Sequence, residues 1–272
     1  LVQVGGQTMA DRYSYVPSVG VLLCLVWTVA ECSTRWPHRP VLLGATATAG
    51  LLACVGLTSS QLRHWRDSVT LFRHTLAVTQ DNWMAHYNLS LAYGPSPATA
   101  DAAREELRQT ITIIADFAER HNQRGLALLQ TPGQVPAALA AFEKALRIKG
   151  DHLPARLNLG RALLQTPGRA ADAVTAFRTV LAQAPDHRDA KLLLGLALAQ
   201  LPGRLDEAIF ELRLVVWRWP DDAAAHRALA DTLAQAPGRQ TEALSEYETA
   251  LRLDPTDAAA RAGKERCRAG PP

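Results

Sequence analysis

The stretch QTPGRAADAVTAF, residues 165–177, determines the predicted fold, because its Pro-Gly dipeptide returns at a constant interval. Pro-Gly occurs at 132–133, 167–168, 202–203 and 237–238, so each occurrence lies 35 residues after the one before it. Proline followed by glycine suits the central positions of a type II turn, since glycine supplies positive φ at the second. The interval predicts an array of equal helical units, each containing one such turn.

The positions around the turn repeat in step with it. In the clearest unit, Ala173 is followed four places later by Phe177, and this spacing puts both on one face of a helix. The small residue recurs as Ala103, Ala138, Ala208 and Ala243, and the large one as Leu107, Phe142, Leu212 and Tyr247. Glycine recurs at Gly125, Gly160 and Gly195, with Ser90 and Ala230 at the ends, and glutamine precedes each turn at Gln130, Gln165, Gln200 and Gln235.

An acidic column marks the predicted start of the first helix in each unit. Its members are Asp81, Asp116, Asp151, Asp186 and Asp221, followed by Thr256. We predict these residues to be helix N-caps, because they stand directly before apolar-periodic segments. Pro185, Pro220 and Pro255 precede the column, where a helix has already ended.

This pattern resembles the tetratricopeptide repeat, whose usual period is about 34 residues. Leu159-Gly160, Ala173, Phe177 and Pro185 carry the resemblance, and one extra residue in the turn is the departure from it. The resemblance implies an all-α superhelix with a concave side. The predicted repeats are 83–117, 118–152, 153–187, 188–222 and 223–257. A half-repeat helix in 61–82, with Ser68 and Phe72 in the matching columns, precedes them, and a capping helix and tail in 258–272 follow them.

Two runs without charge, residues 16–30 and 41–60, precede the repeats. A membrane-spanning helix needs about 20 mostly apolar residues, which the second run provides. The first run has that length only if Tyr13 and Tyr15 lie at the membrane interface. With the short polar connection between them, the runs predict a transmembrane helical hairpin over 16–60, after a loop segment over 1–15.

This hairpin has two alternatives. A secretory signal peptide is disfavoured by Asp11 before the first run and Glu31 after it. Buried helices of a soluble core remain an alternative, because the first run is short and the second is rich in threonine and glycine. The arginines of the loops are too evenly divided to give the orientation.

Composition and motifs exclude several classes of function. The chain has 29 Lys and Arg against 26 Asp and Glu, with no basic stripe, so we predict no nucleic-acid binding. The four cysteines form no CxxC pair and the eight histidines no pair at i, i+4, so we predict no metal site and no disulfide framework. GxSxG, P-loop and GxGxxG motifs do not occur, and we predict neither a cofactor nor a catalytic constellation in this chain.

The tetratricopeptide resemblance implies a peptide-binding column formed by Asn88, Gln123 and Asn158. In related superhelices, asparagines at this place contact the backbone of a bound peptide, since an amide both donates and accepts. Amides satisfied locally on the helix surface are the alternative. Trp217 and Trp219 fall on different faces, so at most one is in the core; burial against the next repeat is favoured, and an exposed indole would suit a partner contact.

Three features together resemble the C-terminal end of tetratricopeptide membrane proteins related to the protein O-mannosyltransferases. They are the hairpin, the stretch MADRYSYVP at 9–17, and the stretch WRDSVTLF at 65–72, which runs into the repeats. Those proteins have a multi-span GT-C body, use a polyprenyl-phosphate sugar and hold their repeats on the extracytoplasmic side. Their catalytic acidic residues lie in an early loop without counterpart here. The resemblance implies that this chain, which begins at Leu1, is the last part of a longer enzyme and does not catalyse alone.

In this interpretation, Asp11 and Arg12 would meet the phosphate of the lipid donor, whereas an anchor at the membrane interface is the alternative. We therefore expect an integral membrane protein whose partners are a polypeptide in the concave groove, membrane lipid and, through the missing N-terminal part, a polyprenyl-phosphate sugar. In one hypothesis the repeats recruit acceptor polypeptides for a glycosyltransferase. In the other, the chain is a membrane-tethered adaptor for assembly in the cell envelope, without sugar chemistry.

Overall fold

The structure is a computed structural model, and it describes residues 24, 26–29, 31 and 39–269. It divides into two compact units, and the division falls after Ile114, inside a long helix. Throughout the described part of the chain the regular elements are helices, which agrees with the predicted all-α class.

The helices follow one another with short connections. The first unit contains α1 (Arg39–His64), α2 (Ser68–Val78), α3 (Trp83–Ala92) and the beginning of α4 (Ala100–Leu129). The second unit contains the rest of α4, then α5 (Val135–Ile148), α6 (Leu153–Leu164), α7 (Ala170–Gln183), α8 (Arg188–Ala199), α9 (Leu205–Arg218), α10 (Ala223–Leu233), α11 (Gln240–Leu253) and α12 (Ala258–Ala269).

The Pro-Gly dipeptides form the predicted turns between the two helices of a repeat. At residues 166–169, the backbone N–H of Arg169 donates to the carbonyl of Thr166 at 3.1 Å, and Gly168 has φ 78°. The other three turns have the same closing bond, and their glycines have φ between 73° and 77°. This positive φ is what a type II turn requires at its third residue, so the turn prediction is confirmed.

The predicted columns are buried in the core of the second unit. Ala173 and Phe177 are fully buried, and a Cβ added to Gly160 would lie 2.5 Å from the Phe177 ring. The column glycine is therefore a close-approach site, where the first helix lies directly on the large side chain of the second. Gly125 over Phe142 and Gly195 over Leu212 repeat this arrangement. In the first unit, by contrast, Leu107 is 43% exposed.

The first helices begin one residue later than predicted. The N-cap side chains belong to Asn82, His152, His187 and Asp222, and Asp257 accepts from the N–H of Ala260 in the same way. The acidic column lies inside the preceding turn: the N–H of His187 donates to the carbonyl of Ala184, which leaves Pro185 and Asp186 in the middle. Because the turn needs its fourth residue to close, that residue and not the aspartate becomes the cap.

Asp116 does not cap a helix at all, which corrects the prediction for that residue. It lies exposed in the middle of α4, which runs without a break for 30 residues. The residue before it is Ala115, where three other repeats have proline. Alanine is the best helix former, so nothing in the local sequence ends the helix there.

Helix α1 contains the second apolar run, and the segment Leu43–His64 is long and apolar enough to cross a membrane, with 22 residues and a mean hydropathy of 1.3. It is the one such helix within the described residues. Of the first run, Cys24 and residues 26–29 are described, and they are helical and exposed. The rest of that run lies outside the described residues, and a transmembrane hairpin is not confirmed.

The first helices of successive repeats form a continuous row in the second unit. Helix α6 contacts α8, and α8 contacts α10. The second helices are joined across the repeat boundaries by ion pairs between long side chains, Arg178 with Glu207 and Arg213 with Glu242. The first helices therefore lie closer together and form the inner row of the stack, which is the concave side of a repeat superhelix.

Candidate functional site

One face of each first helix lines the inner side of this row. In α6 this face contains Asn158, Arg161 and, just after the helix, Gln165, whose spacings of three and four residues place them in one line. Equivalent positions recur 35 residues earlier and later. We call this line, with its equivalents in α8, α10 and the last turns of α4, the inner face.

The predicted amide column is occupied by contacts within the chain. Asn158 is 6% exposed and its amide donates to Asn122 Oδ1 at 2.9 Å. Gln123 donates to the carboxylate of Glu119, one turn before it in α4. In the first unit, Asn88 donates to the carbonyl of Met84 at 2.8 Å. Binding of a peptide by these amides stays a prediction, and it would compete with the internal bonds.

Glu119 is the centre of this polar network in the second unit. Asn122, itself 2% exposed, donates to the carboxylate at 3.3 Å, and His152 Nε2 lies 3.1 Å from Glu119 Oε2. The other imidazole nitrogen, Nδ1, accepts from the N–H of Ala155 at the start of α6. The network thus joins α4 to α6 and satisfies buried polar groups that would otherwise destabilise the interface.

The charged side chains of the inner row are paired across the repeats. Arg161 contacts Asp189 at 2.8 Å, Arg188 contacts Asp222, and Arg227 contacts Asp257 at 3.2 Å. The hydrogen bond that Arg188 donates to Asp222 is the main reason why the pKa of Arg188 is raised. Each pair links one first helix to the first helix or cap of the next repeat, so these charges neutralise one another.

The glutamine column lies at the end of the inner face, and sequence reasoning did not select it as a site. Gln130, Gln165, Gln200 and Gln235 are all exposed. Gln235 donates to the carbonyl of Asp231 at 3.1 Å, whereas the other three side chains make no hydrogen bond with any residue that the structure describes. The repetition of glutamine before each turn is the signal in the sequence that points to this column.

The outer face, which is the solvent-exposed side of the second helices, has apolar side chains on α9. Trp217 is 79% exposed on α9, in line with Phe210 and Leu214, which are also exposed. Trp219 is half-buried, with the Lys191 ammonium 5.7 Å from its ring centre. The spacing predicts that at most one tryptophan lies in the core, and the structure agrees. The favoured burial against the next repeat is wrong for Trp217, which is exposed.

The remaining predicted site lies beyond what the structure covers. Asp11 and Arg12 are outside the described residues. Among residues that are described, no group of three or more His, Cys, Asp and Glu side chains is arranged to hold a metal ion.

Comparison with known proteins identifies the repeat. The family described as tetratricopeptide repeat matches residues 157–216 and 212–258. Residues 157–258 are tetratricopeptide repeats. The matched residues extend from α6 to the beginning of α12. No curated protein matches this chain, and none of the comparisons supports the resemblance to the GT-C glycosyltransferases.

Solved structures agree with this fold. The chain is similar to YrrB, described as a TPR protein with an unusual peptide-binding site, at 19% identity and a TM-score of 0.50, over 72% of this chain and 98% of that one. It is also similar to MamA from Desulfovibrio magneticus RS-1, at 22% identity and a TM-score of 0.47, over 66% and 98%. A third is the thermophilic TPR protein TTC0263 of Thermus thermophilus, at 20% identity and a TM-score of 0.45, over 75% and 98%. The likeness to YrrB shows the fold.

Proposed function

We propose that the tetratricopeptide repeats bind an extended polypeptide on the inner face. The observation that carries the proposal is the continuous row of first helices, which presents partly exposed side chains at a constant 35-residue interval. A row of equivalent positions is suited to a ligand that is itself periodic, such as an extended chain. The peptide-binding site named for YrrB supports this at the level of the shared fold.

A peptide selection followed by blocking tests the proposal. The full chain, kept in mild detergent, is used to select 12-residue peptides from a random phage-displayed pool. Gln200→Trp places a bulky ring on the inner face without entering the core, because Gln200 is exposed. Gln183→Trp is the matched control on the exposed end of a second helix, α7. We expect Gln200→Trp to abolish the binding of selected peptides and Gln183→Trp to leave it unchanged; equal binding by both would place the ligand elsewhere.

We also propose that α1 anchors the repeats to a membrane, with the repeats on the extracytoplasmic side. The support is the length and apolar character of Leu43–His64 and the exposure of its large side chains, Leu51, Leu52, Val55 and Leu57 among them. A carbonate wash of membranes tests the anchor: the full chain should stay with the membranes, and the double variant Leu52→Arg, Val55→Arg should be released. Each arginine near the centre of a span costs about 3 kcal/mol. Release of the unaltered chain would refute the anchor, and protease applied from outside the cell tests the side.

The finer proposal is that the repeats recruit acceptor polypeptides for a GT-C type membrane glycosyltransferase. Its support is the resemblance of 9–17 and 65–72, of which the first lies outside the described residues. The alternative is a membrane-tethered adaptor without sugar chemistry. The coding sequence upstream of Leu1 separates them: several further spans with acidic residues in an early loop support the transferase, and an immediate start codon refutes it.

A further inference from the structure

We propose that the glutamine column, Gln130, Gln165, Gln200 and Gln235, binds the main chain of an extended, uncharged peptide segment. This rests on the proposed function and deepens it. It names the side chains that contact the ligand, and it names what they recognise, which is the peptide backbone and not the side chains.

The amides of the glutamine column are available to a ligand. All four glutamines are exposed, and the side chains of Gln130, Gln165 and Gln200 have no hydrogen-bonding partner among the described residues. The amides that the sequence favoured are already used, because Asn158 bonds to Asn122 and Gln123 to Glu119. A ligand can therefore bond to Gln130, Gln165 and Gln200 without breaking an internal contact.

A glutamine amide also matches a peptide unit in its hydrogen-bonding groups. The side chain offers one acceptor oxygen and two N–H donors, and a peptide unit offers one acceptor and one donor. Two such groups can pair whatever the side chains of the ligand are. A recurring glutamine is therefore suited to a ligand whose sequence varies, whereas a recurring aspartate or arginine would select a charge.

The spacing of the column fits an extended chain. Packed helices lie about 8–10 Å apart, so successive first helices in direct contact bring successive glutamines to the ligand at about that interval. An extended chain advances about 3.3 Å per residue, so one repeat corresponds to about three residues. Four glutamines would thus follow about ten residues of an extended segment, contacting every third peptide unit.

Most of the charges beside the column are already paired with an opposite charge. Arg161 pairs with Asp189, Arg188 with Asp222 and Arg227 with Asp257. Arg156 and Asp231 have neutral partners instead, the Gly150 carbonyl and the Tyr247 hydroxyl. Beside Gln165 and Gln200, where these ion pairs lie, a charged ligand side chain would lose water without meeting a free opposite charge, which disfavours it. The inner face therefore favours a segment without charged residues.

Two phage-displayed pools test the proposal with the full chain in mild detergent. One pool contains random 12-residue peptides of all residue types, and the other omits Asp, Glu, Lys and Arg. We expect enrichment from the neutral pool. A synthetic peptide enriched from it should bind the double variant Gln165→Ala, Gln200→Ala about 5- to 50-fold more weakly, which is the loss expected for two hydrogen bonds. Gln183→Ala, an exposed glutamine at the end of α7, is the matched control and should bind as the unaltered chain does.

Backbone recognition has its own readout. Methylation of alternate peptide nitrogens in the same synthetic peptide removes donors without changing its side chains, and it should weaken binding to the unaltered chain by tenfold or more. The double glutamine variant should lose less on methylation, because part of the interaction is already gone.

The outcomes separate this proposal from the function on which it rests. If neither pool gives enriched peptides, the peptide-binding function fails and the glutamine proposal with it. If only the pool with charged residues is enriched, or if the glutamine variant binds as tightly as the control, the repeats bind peptides but the glutamine column does not recognise the backbone. Equal binding of methylated and unmethylated peptide would also overturn the proposal.

Discussion

Gly160→Ala tests whether glycine recurs at this position because the two helices of a repeat approach each other closely there. Gly160 lies in α6, directly over the ring of Phe177 in α7. A Cβ at this position would be 2.5 Å from Phe177 Cε1, 2.7 Å from Cζ and 3.0 Å from Cδ1. Because Phe177 is fully buried, its ring has no free space into which it can move. The methyl group must therefore displace the helix or force the ring from its rotamer.

Two effects of opposite sign determine how much Gly160→Ala changes the free energy of unfolding. Alanine in a helix interior is favoured over glycine by about 1 kcal/mol. Overpacking a filled core costs about 1–3 kcal/mol, and a contact this short on an immobile ring belongs in the upper part of that range. The net expectation is a loss of about 1–2 kcal/mol in the free energy of unfolding. Helix propensity alone would give a gain of about 1 kcal/mol, so the sign decides between the two accounts.

The measurement is urea unfolding of the full chain, followed by far-UV circular dichroism. Gly150→Ala is a control, because a Cβ there meets only the Leu146 carbonyl at 3.9 Å. Ala230→Gly is the reciprocal change in the same column, where the natural alanine is fully buried. It should also destabilise, since it removes a buried methyl group and adds chain flexibility. Stabilisation by Gly160→Ala would refute the packing argument.

Three further predictions concern caps, charge and exposure. Asp222→Ala removes the N-cap of α10 and the partner of Arg188. We expect it to lower the free energy of unfolding in urea by about 1–2 kcal/mol, and Asp222→Asn to lower it less, because the asparagine still caps the helix. Burial, and then the charge of Lys144, lower the pKa of His121. The stability that this histidine contributes is therefore full above about pH 6.5 and is lost at lower pH. His121→Gln should reduce the dependence of the unfolding midpoint on acid, and an unchanged dependence would contradict this. Trp217→Ser should change the free energy of unfolding by less than about 0.5 kcal/mol, because the indole is 79% exposed, and a loss above about 1 kcal/mol would show that it packs against another surface.

The repeat could be predicted from the sequence because its signals are local. A Pro-Gly turn needs only its own backbone, and it is formed as expected at Gly168. The large apolar column depends on helical spacing alone, and Phe142, Phe177 and Leu212 are all fully buried. The same reasoning failed at Asp116, where the column pattern suggested a cap but Ala115 allowed the helix to continue. A repeat column thus predicts a cap only where the residues beside it also end the helix.

The candidate site was less accessible to sequence reasoning, because a side chain's identity does not say whether its hydrogen bonds are already made. Asn158 and Gln165 are both amides on the inner face, seven residues apart. Asn158 is buried against Asn122 of the preceding repeat, a contact 36 residues distant in the chain, whereas Gln165 remains exposed. Which of them is free for a ligand depends on the packing of two repeats.

By itself the sequence determined the period of the array, the turn in each repeat and the side chains of its core, since helix spacing and turn chemistry act over a few residues. Only the tertiary structure decided the exposure of Trp217 and of the glutamines that face solvent. Those features depend on how neighbouring repeats cover one another. Packing between neighbouring repeats brings together residues about 35 positions apart, and no local sequence pattern indicates which of their polar groups will pair.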